Sequence, residues 1–140
     1  MVFNVLISNL DDHLRNHGFL CRDPSGWRLS PAYDLNPVPA EIRPRVLATS
    51  IGLDDPSASL PLALETAGYY GLSAGDAKRI VSAVSSATSR WRTEAVRHGI
   101  EAHEIDRMAS AFEHGNSDSA RRIRATSSRG SHRGTVPGDS

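Results

Sequence analysis

Asn9-Leu10-Asp11-Asp12-His13-Leu14-Arg15-Asn16-His17, then Gly18–Arg22, Asp23-Pro24-Ser25-Gly26 and Trp27–Ser30, is the stretch on which the reading of this 140-residue chain turns. It opens on a dense group of polar and reactive side chains. Two short runs follow, separated by a tetrapeptide in which Pro24 presets φ and Gly26 supplies a positive-φ position, the signal of a β-hairpin. Past the hairpin stands a second carboxylate, Asp34, in Ser30-Pro31-Ala32-Tyr33-Asp34-Leu35. Upstream, Met1–Leu10 is apolar at Val2, Phe3, Val5, Leu6, Ile7 and Leu10, a pattern that fits a buried helix and a buried strand equally.

Phosphoryl transfer from a nucleotide needs a carboxylate near the attacking hydroxyl and oxygen ligands that fix magnesium against the phosphates, because positioning and charge neutralisation do most of the catalysis. Protein kinases carry the catalytic Asp and a metal-binding Asn on one loop, five residues apart, and a second Asp after a short hairpin. Asp11 precedes Asn16 by five, and the hairpin and Asp34 follow in that order. An Asp-x4-Asn spacing alone arises readily by accident; the hairpin and Asp34 give it weight. Simpler roles compete for the same residues. Asp11 and Asp12 can be turn or helix-cap acids, and Asp34 an Asx-turn residue ahead of Asn36-Pro37. His13 and His17 could join the carboxylates around a transition metal, although hydrogen-bonding loop histidines are the favoured reading.

The strings Asn9–Leu20 and Trp27–Asn36 resemble the catalytic-loop and metal-binding motifs of the HipA-like serine/threonine kinases, and the resemblance continues to about Phe112. It implies a bacterial kinase, often the toxin of a toxin–antitoxin pair, that moves phosphate from ATP to a protein Ser or Thr. By this resemblance Asp11 matches the catalytic base, Asn16 a magnesium ligand and Asp34 the second metal-binding Asp. His13 and Arg15 match the intervening His and basic positions, the latter suited to steadying a transferred phosphate. ATP and Mg²⁺ are the implied cofactors. Kinases of this family also carry an N-terminal lobe with a phosphate-covering loop and a nucleotide-holding Lys. No Gly-rich nucleotide motif precedes Asp11 here, and the one lysine, Lys78, falls in a helical region. The expectation is a chain inactive by itself, a fragment or one half of a split kinase, partnered by an N-terminal lobe or an antitoxin. A non-catalytic remnant acting as a protein-binding module is the alternative.

Working outward, residues 37–57 form a Pro-rich segment with no sustained period, expected as a structured surface loop between the 1–36 site segment and a 58–115 helical bundle. Leu60, Ala63, Leu64, Ala67 and Tyr70 share one helical face, with Pro61 in the first turn. Ser73-x-x-Asp76 caps a second helix whose stripe runs Ala77, Ile80, Val81, Val84, Thr88, Trp91 and Ala95, with Gly99 ending it. A third places Ile105, Met108, Ala109 and Phe112 inward and closes near His114-Gly115. The expected fold is therefore mainly α: a kinase-like C-terminal lobe fragment with one β-hairpin and a three-helix bundle. Residues 116–140, rich in Ser, Gly and Arg, read as a disordered tail. Trp27 and Trp91 read as packing residues, and Cys21 as a small buried hydrophobe on a strand.

Sixteen basic residues balance sixteen acidic ones, so the chain as a whole has no pull toward nucleic acid or anionic lipid. The Arg-rich tail is read as a solvated extension. A helix-turn-helix within residues 77–113 is disfavoured because Glu94 and Glu101 offset Arg90, Arg92 and Arg97. One cysteine excludes an internal disulfide and four-thiolate metal sites and suits a reducing, cytoplasmic setting. No segment approaches the roughly 18 apolar residues of a membrane span.

Overall fold

The computed structural model describes residues 1–24 and 26–130, with side chains to residue 126. The chain is mainly helical with one two-stranded sheet. Helix α1 (Val2–Ile7) comes first, then a single 3₁₀ turn (Leu14–Asn16) and the antiparallel strands β1 (Phe19–Arg22) and β2 (Gly26–Leu29). Helix α2 (Leu60–Glu65) runs into a 3₁₀ turn (Thr66–Tyr70). After it come α3 (Ala74–Thr88), α4 (Trp91–Arg97), α5 (Ala102–Arg107), α6 (Ala109–Phe112) and α7 (Gly115–Gly130).

The opening segment resolves as helix. Six residues are too few to hold a helix in water, so tertiary contacts must supply its stability. Val5 and Leu6 are sealed in the core with Leu10, Leu47, Ile51, Ala58, Leu60, Ala63, Val81 and Ala120. The helix ends at Ser8, in the left-handed region at φ 55°. Ser8 Oγ donates to the Ala111 carbonyl at 2.7 Å, and the Ser8 carbonyl accepts from Val38 N at 3.1 Å. Asn9 and Leu10 remain buried, and the chain leaves the core from Asp11 onward.

Segment 37–57 forms no helix or strand beyond the bridge of Val46 to Ser57, yet it does more than cross the surface. Leu47 and Ile51 enter the core, and Ala48 N donates to the Leu10 carbonyl at 2.9 Å. Ser59 caps α2, accepting from Leu62 N at 3.3 Å, and Ser73 Oγ accepts from Asp76 N at 3.1 Å to cap α3 as its sequence predicts. Gly99 closes α4 with φ 77°.

Four expectations need correction. The stripe from Ala77 to Ala95 divides into α3 and α4, because Thr88 and Ser89 turn their hydroxyls onto the carbonyls of Val84 and Ser86 and the backbone tightens there. The third helix likewise splits at Met108 into α5 and α6. Residues 116–130, read as disordered, form most of α7, which packs chiefly on α3. Ala120 is fully buried, and Asn116 braces the start of α2, accepting from Leu60 N at 2.9 Å and donating to the Ala58 carbonyl at 2.6 Å. A low apolar content concealed this helix, since Ala120 and Ile123 are the apolar residues it sets against the core and its other anchors, Asn116 and Ser117, are polar. Residues 131–140 of that expected tail lie outside the described residues. Last, the hairpin is exposed: Cys21 is on the surface and Trp27 is 71% exposed, so neither packs inside. Trp91 does pack, stacked on Phe112 with ring centroids 4.4 Å apart, and Arg92 covers it while pairing with Asp106 and Glu113.

Candidate active site

The hairpin brings two distant segments together. Ser30 N donates to the Gly18 carbonyl at 2.8 Å just beyond the strand ladder. The approach is close: a Cβ at Gly18 would lie 3.1 Å from Ser30 Oγ, which would have to shift by a few tenths of an ångström. From this closed base the 3₁₀ turn and the segment after β2 face each other.

Asn16 Nδ2 donates to Asp34 Oδ2 at 2.6 Å, and Asn36 Nδ2 donates to Asp34 Oδ1 at 2.7 Å. Asn16 Oδ1 accepts from His13 N at 3.1 Å, which fixes the amide across the turn. Tyr33 supplies a second strut, its hydroxyl donating to the Arg15 carbonyl at 2.7 Å. Asp34 has φ 56°, one of two non-glycine residues at positive φ among the described residues. Asp tolerates this region better than most side chains, but it still costs free energy, and its two hydrogen-bond partners, Asn16 and Asn36, hold it there.

Asp11 and Asp12 diverge. Asp12 turns inward, accepting from the Asn4 amide, with His17 Nε2 3.7 Å from its other oxygen. Asp11 turns outward, 64% exposed, and its ion-pair partner is Arg43 at 3.6 Å. The bland role of a structural acid therefore belongs to Asp12, and Asp11 is the one open to an incoming group. Arg15 is exposed. His13 Nδ1 is buried with no hydrogen-bond partner among the described residues, which marks this turn as one with unspent polar capacity.

The structure thus brings Asn16 and Asp34 into direct contact, with His13 joined to them through Asn16, and gives Asp11 a separate partner. Tyr33, Asn36, Asn4 and Arg43 went unread in the sequence. Asn36 could have been found from its spacing to Asp34, two residues on; Arg43 carries no local signal. Among the described residues no group of three or more His, Cys, Asp and Glu is placed to bind a metal. The Asn16 and Asp34 donor set is amide and carboxylate oxygen, the hard ligands magnesium prefers, and two protein ligands suffice for an ion that keeps several waters. The amide carbonyl and both carboxylate oxygens keep a lone pair beyond the hydrogen bonds above. By donor chemistry these residues suit such an ion, although Asn16 turns Nδ2 rather than Oδ1 toward Asp34, so its amide must turn over before both residues present oxygen to one ion.

No helix among the described residues is long and apolar enough to cross a membrane. No curated protein and no solved structure matches the chain. Residues 1–91 match a family model, the HipA-like C-terminal domain, a span that takes in the 9–17 turn, the hairpin, Asp34 and the helices through α3.

Proposed function

The chain belongs to the HipA-like C-terminal domain family, and from that premise we propose that it contributes the proton-accepting and cation-holding residues of a serine/threonine protein kinase. The observation that carries this reading is the 2.6 Å hydrogen bond between Asn16 and Asp34, which joins the two motif segments across the hairpin. Asp11, exposed and one turn away, accepts the proton of the substrate hydroxyl. Asn16 and Asp34 would hold Mg²⁺, which when bound would neutralise charge on the phosphate oxygens of ATP. His13 orients Asn16 through its backbone N–H, and Arg15, with its side chain in solvent, steadies the transferred phosphate.

The reading calls for a nucleotide clamp, which an N-terminal kinase lobe, in the same protein or in a partner, would supply, and it leaves room for an antitoxin partner in a cytoplasmic toxin–antitoxin pair. Without a clamp the triphosphate is not oriented, and the large rate advantage of orientation is lost. Residues 1–140 without such a clamp are accordingly expected to transfer no phosphate.

One observation favours a second reading, a non-catalytic protein-binding module. Strand register puts Phe19, Leu29, Cys21 and Trp27 on one face of the hairpin, and none of them is buried. Such an uncovered apolar face marks an interaction surface.

The two readings separate on co-expression with an N-terminal kinase lobe encoded beside this chain. Recovery of ATP-dependent phosphorylation that Asp11→Asn abolishes supports the kinase. Failure to bind ATP in any pairing leaves only the binding module.

A further inference from the structure

A cleft of about 250 Å³ opens beside the Asp11 turn, lined by Leu10, Arg43, Pro44, Val46, Leu47 and Ala48. Its floor is the buried pair Leu10 and Leu47, and Val46, half exposed, stands at the rim. The loop that builds it is pinned on both sides. Ala40 N donates to Ser110 Oγ at 3.1 Å, and Ser110 in turn donates to Glu41. Beyond the tip, Arg45 donates to the Val5 carbonyl at 2.9 Å and Ala48 N to the Leu10 carbonyl. The cleft is therefore a built feature of the fold.

Three properties identify an occupant. The volume falls below the roughly 300–1,000 Å³ of small-molecule sites, so it suits a single side chain of a larger partner. Five of the six lining residues are apolar, and the sixth, Arg43, places a cation at the mouth. That cation lies 3.6 Å from Asp11 with more than half its side chain in solvent, a pairing weak enough to be exchanged for a visiting carboxylate. Leu10 is also bonded directly to Asp11, so the cleft lies within reach of residues neighbouring a hydroxyl that meets Asp11.

We propose that this cleft docks the protein segment to be phosphorylated, taking an apolar side chain next to the acceptor Ser or Thr while Arg43 pairs with an acidic residue of the same segment. This rests on the kinase reading, because that reading makes Asp11 the proton acceptor.

The test is amide-resolved NMR of the full chain, without nucleotide or magnesium, titrated with three otherwise identical peptides. One carries Ser flanked by Leu and Glu, the second Gly and Glu, the third Leu and Lys. The first should shift the amides of Leu10, Val46, Leu47 and Ala48 and bind about tenfold tighter than the second, the scale of burying one aliphatic side chain. Val46→Glu should erase the Leu preference and Arg43→Glu should invert the choice between Glu and Lys; both sites are exposed, so the fold survives. No shift with any peptide at millimolar concentration, shifts confined to the hairpin, or a Leu preference that persists in Val46→Glu overturns the proposal. Phosphorylation in the co-expressed complex is scored separately. An active enzyme without the Leu preference loses the groove alone, whereas docking without any phosphorylation removes the kinase reading and retains a peptide groove.

Discussion

Asn16 and Asp34, eighteen residues apart, meet through a hydrogen bond of 2.6 Å from the amide of one to the carboxylate of the other. An amide N–H placed on a carboxylate that also accepts from Asn36 keeps that carboxylate oriented before any cation arrives. Magnesium titration is expected to shift the side-chain amide signals of both Asn16 and Asn36, and Asp34→Ala to abolish the response. Amide signals indifferent to magnesium in the unaltered chain would count against the metal role.

The bracing of α2 by Asn116 makes a different demand. Asn116→Ala removes the partner of Leu60 N and of the Ala58 carbonyl, both belonging to buried residues. Leaving such groups unpaired costs about 1–3 kcal/mol each, and the urea midpoint should fall accordingly. A chain cut after His114 should lose more, since Ala120 goes with it. Equal midpoints for the cut and full-length chains would mean that residues beyond 114 carry no structural role.

Leu60 is 0% exposed at the centre of the core. Leu60→Ala should destabilise the chain by about 2–5 kcal/mol, the transfer term plus a cavity that the surrounding helices cannot fully close. Equilibrium denaturation measures it directly, and a loss within experimental error would place the core elsewhere.

His114 makes stability depend on pH. Burial, and then the charge of Arg45, push its pKa down from 6.5 to about 4, against weaker opposing effects from the carbonyls of Ala111 and Leu6 and from Asp118. The unfolded chain takes up a proton near 6.5 and the folded chain only near 4. Between these values the unfolded state binds more protons, so stability falls as pH drops through that window and is fully present above it. His114→Gln should flatten this part of the profile. The same slope in the variant would assign it to other groups.

Trp27 is mostly in solvent on the apolar face of the hairpin. Trp27→Ser should change stability, read from the urea midpoint, by no more than about 0.5 kcal/mol, as for other surface positions. A large drop in stability would show that the ring is covered in solution.

Much of the site could be read without coordinates, because the residues that carry it are close in sequence and the elements between them are local. The five-residue step from Asp11 to Asn16, the Pro and Gly of the hairpin turn, and the Ser73 cap each depend on backbone preferences a few residues long. The same holds for Leu60, Ala63 and Ala67, whose spacing alone places them on one buried face. Arg43 was invisible because its relation to Asp11 exists only once the Pro-rich loop folds back on Leu10.

The helical character of the chain, the hairpin and the order of the motif residues were determined by sequence alone, since propensity, capping and turn chemistry act over a single turn or strand. Tertiary structure decided that Val2–Ile7 enters the core as a helix, that α7 exists around buried Ala120, packed Ile123 and the bracing Asn116 amide, and that Trp27 and Cys21 stay in solvent. Burial is a property of what surrounds a residue, and those surroundings come from segments as remote as Ser8 and Ala111. No local pattern records them.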